Sequence, residues 1–389
     1  MLPAASPSMG LLAMPLPYPC PDPSDSPASA PVIAWDSVAA EPWAVAMAAC
    51  VQDPEHHAEG DVWTHTKMVC EALVALPAWR ALPADEREVV FAACLLHDIA
   101  KPPTTVVEDG RIRHPGHSPR GATAVRGLLW RMGVEPATRE RVAGLVRHHQ
   151  VPFFLIEQDD PRRRAAAISQ SVRCDHLGMV TRADALGRIC RDPRRLLDNI
   201  ELFEELCREH DCLARPHAFA SDHTRFLYFR GGDRDPAYAA HDDTRCEVTL
   251  MCGLPGAGKD HWIAHNLDLP VVSLDALREE QGAPAAGGNQ GAVIQAAREA
   301  AREHLRRGQS FVWNATGLTR DLRGRVIELA AAYHARVRIV FLDTAYRRLL
   351  RQNRERAAVV PPAVIERMTR LWDPPDLTEA HRVDWIVQS

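Results

Sequence analysis

The stretch EVTLMCGLPGAGKD, residues 247–260, contains the features that decide the fold of the second half of the chain. An apolar run from Glu247 to Cys252 has the length of a buried strand, a glycine-rich turn follows it, and Asp260 opens an amphipathic stretch that ends at Leu267. A strand, a tight turn and a helix in this order are typical of crossover units, which build parallel sheets. The stretch therefore predicts a parallel sheet covered by helices.

The same alternation continues towards the C-terminus. Short apolar runs at 271–274, 311–313 and 336–342 are separated by helical stretches at 292–307 and 322–334. Residues 246–389 are therefore predicted to form one α/β domain.

The glycine-rich turn itself predicts a phosphate-binding loop. Gly253, Gly256, Gly258 and Lys259 are spaced so that backbone amides can surround a phosphate while the lysine reaches the outer phosphates of ATP. The helix that follows would direct its N-terminus at the same anion. Asp260 stands where Ser or Thr usually binds Mg²⁺; its carboxylate could bind the ion directly or through water, but it adds negative charge beside the triphosphate.

Two residues near the second apolar run are predicted to be catalytic. Asp275 follows the run at what would be the carboxyl end of a parallel strand, the ligand-binding edge of such a sheet. There it could act as a general base towards a hydroxyl substrate, while Arg278, one turn later, holds a substrate phosphate. A helix N-cap formed by Ser273 or Asp275 is the alternative interpretation.

A basic stretch and an asparagine complete the candidates in this half. The basic residues around Asn353 are Arg347, Arg348, Arg351, Arg354 and Arg356. Arg351 and Arg354 are predicted to neutralise charge on a transferring phosphoryl group, with a solvated basic face as the alternative. Asn314, after the third apolar run, is predicted to contact the nucleotide or its metal, or else to be a turn residue.

The first half has a different periodicity. Apolar residues recur at three- and four-residue intervals over 62–76, 87–99, 121–132, 138–149 and 193–208, so residues 32–214 are predicted to be an all-α helical bundle. Residues 1–31 are rich in proline and are predicted to be a disordered leader. Residues 215–245 are polar and are predicted to be a linker.

A histidine and aspartate set lies on the predicted helices of this bundle. His97-Asp98 ends an apolar helix, whereas the pairs at 210–211 and 241–242 have no such context. The other members of the set are His65, His117, His149 and Asp184. Imidazoles and carboxylates from separate helices are suitable ligands for one or two divalent transition metal ions.

We predict that His65, His97, Asp98 and Asp184 hold a first ion and that His117 and His149 complete a second. Asp98 could bridge the two ions, and Lys101 would neutralise a bound phosphate. His148 is an alternative to His149, and His114 is an alternative to His117.

Composition sets the remaining limits. The net charge of −5 does not indicate a nucleic-acid-binding protein, so an anionic substrate must meet a local basic patch. The ten cysteines are scattered without a C-x-x-C pair, which argues against a disulfide framework or a zinc ribbon. No apolar run is long enough to span a membrane, and no secretory signal is evident, so a cytoplasmic protein is expected.

These residues resemble two known families. His65, His97-Asp98, His117, His149 and Asp184 resemble the ligand pattern of the HD phosphohydrolase superfamily. The second half, with residues 253–260, Asp275, Asn314 and the arginines before Val360-Pro361, is similar to P-loop polynucleotide kinases. An HD module followed by such a kinase resembles the bacterial HD-Pnk family of nucleic-acid end-healing enzymes.

The resemblance implies two activities. The HD module would remove 2′,3′-cyclic phosphate and terminal 2′- or 3′-phosphate from RNA or DNA ends, and the kinase would phosphorylate 5′-OH ends with ATP and Mg²⁺. An RNA ligase acting downstream is the implied partner. Two other functions stay open: a nucleotide phosphohydrolase fused to a kinase of a metabolite or antibiotic, and an HD hydrolase gated by ATP without phosphoryl transfer.

Overall fold

The computed structural model describes residues 16–18, 20–23, 32–282, 290–356 and 359–388. The chain divides into two compact units, Met1–His217 and Ala218–Ser389. The first unit is helical apart from a small antiparallel hairpin. Its elements are α1 Pro42–Ala48, α2 Val62–Ala75, α3 Pro77–Arg80, α4 Ala84–Leu96, α5 Lys101–Thr104, β1 Val106–Glu108, β2 Arg111–Arg113, α6 His117–Arg131, α7 Pro136–His148, α8 Pro161–Ser169, α9 Cys174–Leu186 and α10 Pro193–Glu209.

Helix α4 is the centre of the first unit. Every residue from Val89 to Leu96 is buried, and the helix packs against α2, α7 and α9. A helix that is apolar on all sides has to be surrounded by others, so the segment that follows it emerges inside the protein. That segment begins with His97 and Asp98.

The second unit contains a sheet covered by helices. Its elements are α11 Asp222–Phe229, β3 Cys246–Cys252, α12 Lys259–Asn266, β4 Val271–Ser273, α13 Leu274–Glu280, α14 Gln290–Arg306, β5 Phe311–Asn314, α15 Arg320–Ala332, β6 Ala335–Thr344, α16 Tyr346–Glu355, α17 Pro362–Thr369 and β7 Arg382–Gln388. The strand order is β4-β5-β3-β6-β7, and every pairing is parallel. These two units confirm the predicted fold class, an all-α bundle followed by an α/β domain with a parallel sheet.

The order of the strands determines where a ligand can bind. β3 is central, with β5 on one side and β6 on the other, so the chain crosses the sheet in opposite directions from it. The carboxyl end of such a central strand is a topological switch point, where a crevice opens for ligands. The glycine turn at 253–258 follows β3 at this point.

Part of the predicted leader is folded. Among its described residues, Leu16 and Tyr18 are buried in the core of the first unit, and the Tyr18 ring packs edge-on against Trp43 at 6.1 Å between ring centroids. The proline-rich composition predicted disorder from local backbone properties, but an aromatic ring can still be buried by a distant helix. Residues 1–15, 19 and 24–31 of the predicted leader lie outside the described residues.

Part of the predicted linker is also folded. Helix α11 lies within residues 215–245, and its Arg225 donates hydrogen bonds to the backbone carbonyls of Leu377 and His381. The imidazoles of His223 and His381 lie 3.0 Å apart between Nδ1 and Nε2. Polar residues therefore attach α11 to the rest of the second unit. A polar composition does not distinguish such a helix from a linker, so the linker prediction for residues 215–245 does not hold for α11.

The described helices include none whose length and apolar character would allow it to cross a lipid bilayer.

A buried ion pair joins α15 to the segment before β7. The guanidinium of Arg323 donates two hydrogen bonds to the Glu379 carboxylate, at 2.8 Å to Oε2 and 2.7 Å to Oε1, and two more to the carbonyls of Gly317 and Asp373. Both side chains are buried. Removing the carboxylate would leave a buried cation without its counter-ion.

We expect Glu379→Ala to lower the free energy of unfolding of the second unit by roughly 3–5 kcal/mol. Residue-resolved hydrogen exchange of the β6 and β7 amides measures this. Glu303→Ala is the control, because its pair with Arg307 is exposed and should contribute at most about 1 kcal/mol. Equal losses of protection in the two variants would contradict the role of the buried pair.

Candidate functional site

The structure brings the six predicted metal ligands of the first unit together at converging helix ends. His65 lies on α2 and Asp184 on α9, His97 and His149 directly follow α4 and α7, and His117 opens α6. All six are buried. We call His65, His97, Asp98, His117, His149 and Asp184 the His-Asp cluster.

Three imidazoles of the cluster have the same orientation. The Nδ1 atoms of His97, His117 and His149 lie 2.7, 2.8 and 2.8 Å from the carbonyl oxygens of the residues three positions earlier, Cys94, His114 and Val146. A carbonyl only accepts, so each Nδ1 carries the proton and each Nε2 carries a lone pair. The local helix-end geometry thus fixes the tautomer that binds a metal through Nε2.

These three lone pairs face one carboxylate. The Nε2 atoms of His97, His117 and His149 lie 3.0, 3.4 and 3.8 Å from Asp98, and none forms a hydrogen bond. Lone pairs directed at a buried carboxylate repel it unless a cation lies between them. The arrangement therefore fits divalent ions better than it fits a hydrogen-bonded core.

His65 and Asp184 are held by two residues to which the sequence analysis assigned no role. The Nδ1 atom of His65 lies 2.8 Å from Glu59 Oε1, and its Nε2 lies 3.1 Å from Asp184 Oδ1. Arg188 donates to both oxygens of Asp184. Arg188 stands four residues after Asp184, a helical spacing by which the sequence could have identified it; Glu59 carries no comparable signal.

The ligand atoms of the cluster lie close enough to share ions. They form overlapping groups whose atoms are all within 4.8 Å of one another: His65, His97 and Asp98; His97, His149 and Asp184; and Asp98, His117 and His149. Asp98 belongs to two of these groups, as a bridging carboxylate would. A further group, His57, Glu59 and His65, is explained by the hydrogen bonds of Glu59 to both imidazoles.

The protonation states agree with metal binding for most of the cluster. Burial lowers the pKa of His149 to about 3 and lowers that of His117 below its usual value. Burial acts to raise the pKa of Asp98, but His97 and Lys101 hold it well below its usual range. His65 differs: burial acts to lower its pKa, but hydrogen bonds to Asp184 and Glu59 outweigh burial and raise it.

A cavity of about 780 Å³ gives access to the cluster. Lys101, His114, His117 and Arg188 line its inner part. The Lys101 ammonium lies 2.7 Å from Asp98 Oδ2 and donates to Gln52 Oε1 at 2.6 Å. Cationic side chains beside a metal-ligand cluster can neutralise an incoming phosphate.

Of the two alternative ligands, neither joins the described ligand groups. His149 is a member and His148 is not; His117 is a member and His114 is not. His114 instead supplies the carbonyl that orients His117 and lies 3.1 Å from Thr105 Oγ1 through its Nδ1.

The glycine turn of the second unit has the conformation of an anion-binding loop. Gly253, Gly256 and Gly258 have φ of 149°, 82° and 84°, which side-chain-bearing residues rarely adopt. A Cβ at Gly253 would stand 2.9 Å from the carbonyl oxygen of Leu342, and one at Gly256 would stand 3.3 Å from Asn353 Cβ. Glycine is therefore required both for the turn and for the close approach of β6 and α16.

Lys259 is folded onto this loop. Its Nζ donates to the carbonyls of Gly253 and Leu254 at 3.0 and 3.2 Å, and burial lowers its pKa. A bound phosphate would offer the ammonium a charged acceptor in place of these carbonyls.

Asp260 and Asn314 lie together at the carboxyl edge of the sheet. The Asn314 amide donates to Asp260 Oδ1 at 2.5 Å, and Asn314 is the last residue of β5. Because these two residues are in contact, the nucleotide or metal that each was predicted to bind would lie at the same place.

Asp275 and Arg278 lie in the first two turns of α13. Ser273 caps this helix by accepting a hydrogen bond from the amide of Ala276, so Asp275 is not the cap. Asp275 is exposed and forms an ion pair with Arg278, which also donates to Gln290 Oε1 at 3.1 Å. Strand β4 ends at Ser273, two residues before Asp275, so the aspartate lies just past the strand end and not on it.

Arg351 and Arg354 are exposed on α16. The helix is held against the glycine turn by Asn353, whose side chain also exchanges two hydrogen bonds with the backbone of Val360, at 2.7 and 3.1 Å. The structure therefore places the helix beside the loop and leaves its two predicted arginines in solvent.

Comparison with known proteins finds one matching family model in each unit. Residues 62–188 match the HD domain, and residues 248–375 match an AAA domain. The first range includes the whole His-Asp cluster, and the second includes the glycine turn, Asp275 and Asn314.

Curated relatives match only part of the chain. A multifunctional CCA protein of Halorhodospira halophila is 34% identical over 106 residues, 27% of this chain and 23% of the relative. A CC-adding tRNA nucleotidyltransferase of Thermus thermophilus is 37% identical over 109 residues, 25% of this chain and 24% of the relative. The chain thus spans less than a quarter of the length of these two relatives.

Two solved structures are similar to part of this chain at low sequence identity. A putative kinase from Chloroflexus aurantiacus is 20% identical, with 37% of this chain and 86% of that chain covered and a TM-score of 0.32. A gluconokinase from Sinorhizobium meliloti is 18% identical, with 37% and 83% covered and a TM-score of 0.29.

We expect His149→Ala to lower the amount of divalent metal retained by the purified protein, because it removes an oriented Nε2 ligand. Loss of a residue that only supports a metal ligand typically lowers metal affinity about 10–100-fold, and loss of a ligand should lower it at least as much. Metal content by elemental analysis, and the gain in thermal stability on adding Mn²⁺, Co²⁺ or Ni²⁺, measure this. The neighbouring His148→Ala is the matched control and should retain the metal. Equal metal content in the two variants would contradict the ligand assignment.

Proposed function

We propose that this chain, in which an HD domain is followed by a P-loop kinase-like domain, prepares broken nucleic-acid ends for joining. The HD domain would hydrolyse 2′,3′-cyclic phosphate and terminal 2′- or 3′-phosphate, and the P-loop domain would transfer the γ-phosphoryl group of ATP to a 5′-OH. The products, a 3′-OH and a 5′-phosphate, are the ends that a ligase joins. A downstream RNA ligase is accordingly the proposed partner.

The observation that carries the proposal is the pairing of two complementary phosphate sites in one chain. In the HD domain, imidazole lone pairs surround Asp98 at the inner end of a cavity lined by Lys101 and Arg188. In the other domain, a glycine turn onto which Lys259 folds lies at the switch point of a parallel sheet. The first site suits removal of a phosphate, and the second suits its addition.

In the HD domain, the residues have separable tasks. The His-Asp cluster would hold one or two divalent ions, which supply Lewis acidity to a phosphoryl group when bound. Arg188 fixes Asp184, and Glu59 fixes His65, so that the ligands keep their positions. The Lys101 ammonium, which contacts Asp98, would also contact a phosphate oxygen of the bound substrate.

In the kinase domain, Lys259 and the backbone amides of residues 253–258 would bind the phosphates of ATP. Asp260 would bind Mg²⁺, with Asn314 holding its carboxylate. Asp275 would accept the proton of the 5′-OH, and Arg278 would release Asp275 to hold a substrate phosphate. Arg351 and Arg354 reach solvent on α16, beside the loop, from where they could approach the transferring group.

We expect Asp98→Asn to lower phosphate release from an RNA with a 2′,3′-cyclic phosphate by more than about 100-fold while 5′-phosphorylation stays within about 2-fold of the unaltered protein. Asp275→Asn should do the reverse, since a general base typically contributes about 10²–10⁴ in rate. Both reactions can be measured in the full-length protein with one RNA oligonucleotide that has a 5′-OH and a 2′,3′-cyclic phosphate. It is incubated with γ-labelled ATP and several divalent metals, and loss of the cyclic phosphate and transfer of label to the 5′ end are followed.

Asp211→Asn is the matched control, because it alters an exposed His-Asp pair outside the cluster and should affect neither reaction. Loss of both activities in Asp98→Asn or Asp275→Asn, with unfolding unchanged, would contradict independent sites. Transfer of label to small alcohols but not to the oligonucleotide would instead indicate a metabolite kinase. Absence of any transfer with retained ATP binding would indicate an ATP-gated hydrolase.

A further inference from the structure

The cavity of the HD domain is larger than a phosphate requires. At about 780 Å³ it lies within the range of roughly 300–1,000 Å³ that is usual for sites of whole small molecules. The cavity reaches the His-Asp cluster at His117, next to the buried Lys101, and its lining also includes the exposed residues Phe154 and Arg191, whose side we call the outer part. The outer part therefore has room for the group that carries the phosphate.

An exposed aromatic ring lies in this outer part. Phe154 is 52% exposed, whereas its neighbour Phe153 is 1% exposed. Among the residues that the structure describes, the only other exposed aromatic side chain is Tyr238, in the second unit. Because Phe154 lines the cavity and remains exposed, its ring can contact a ligand bound there and bury apolar area in doing so.

The ring is held at a fixed distance from the cluster. The backbone from His149 to Phe154 forms tight turns, with hydrogen bonds from the amide of Phe153 to the carbonyl of Gln150 and from the amide of Phe154 to that of Val151. Asn199 donates to the carbonyl of Phe153 at 2.7 Å. A five-residue path thus connects a metal ligand with the exposed ring.

Side chains connect the same two points. Arg188 binds Asp184 of the cluster, its guanidinium carbon lies 4.9 Å from the centroid of the buried Phe153 ring, and Phe153 packs edge-on against Phe154 at 6.1 Å. The buried ring therefore contacts the exposed ring, and about half of the Phe154 surface remains available to a ligand.

We propose that Phe154 stacks on the base of the terminal nucleotide, so that the HD site selects a phosphate carried by a nucleoside at a single-stranded end. The inference rests on the proposed function, because it adds a base-binding part to the proposed hydrolytic site. Stacking is tolerant of sequence because every base has a π-face, so the site should accept all four terminal bases. The exposed guanidiniums of Arg113 and Arg191 on the same cavity are suited to the phosphodiester that precedes the terminal nucleotide.

The test compares two 3′-phosphate RNA oligonucleotides that differ only in the last residue, a normal nucleotide or an abasic ribose. We expect Phe154→Ala to lower kcat/KM for the normal end by about 5–150-fold, the range that loss of one stacked base gives, and to change kcat/KM for the abasic end by less than about 2-fold. Phe154→Tyr, which keeps the ring, should restore activity on the normal end. Leu202→Ala, an exposed apolar truncation on α10 outside the cavity, should change neither value.

The outcomes separate the two proposals. If the unaltered protein releases phosphate from neither oligonucleotide with any divalent metal, the proposed function and the stacking site both fail. If it releases phosphate and Phe154→Ala leaves the normal end unaffected, the stacking site alone fails. An equal loss on the normal and abasic ends would also overturn it, because the ring would then support the cavity and not the base.

Discussion

The orientation of three buried imidazoles is the constraint on which the first unit depends. Because backbone carbonyls take the Nδ1 protons of His97, His117 and His149, the Nε2 lone pairs point at the carboxylate of Asp98. Buried groups that repel one another destabilise an apolar interior, whereas a bound cation would make the same arrangement favourable. The Lys101 ammonium contacts one oxygen of Asp98, and the three Nε2 lone pairs on its other sides are placed as ligands for a divalent cation.

The second unit depends on a steric constraint. Gly253 and Gly256 have no side chains, and so β6 and α16 can approach the turn more closely than any other residue would permit. The same turn has its amides at the start of α12, where they can meet an anion. Loop conformation, sheet order and the position of α16 are thus consequences of one short segment that follows the central strand.

Much of this organisation can be predicted from the sequence, because the decisive signals are local. The spacing of its glycines and lysine identifies the glycine turn. Each histidine of the cluster follows or lies within an apolar helical pattern, which predicts that its side chain points into the protein. Two contacts that could not be predicted join residues distant in the sequence, namely Tyr18 with Trp43 and α11 with the segment before β7. Glu59 is close to His65 in the sequence, but the residues between them show no pattern that would predict the contact of the two side chains. The β1–β2 hairpin was not predicted, because its short, partly polar runs do not differ from loops. Strand β7 was not predicted either, although its Val383, Trp385 and Val387 alternate as in a half-buried strand.

The contact between Asp260 and Asn314 has a consequence for the proposed kinase site. A carboxylate held at the carboxyl edge of the sheet would repel a bare triphosphate, whereas the hydroxyl usual at this position would not. A nucleotide whose charge is partly neutralised by Mg²⁺ would be attracted instead, because the carboxylate can bind the ion. The proposed site would therefore favour the magnesium complex over the free nucleotide.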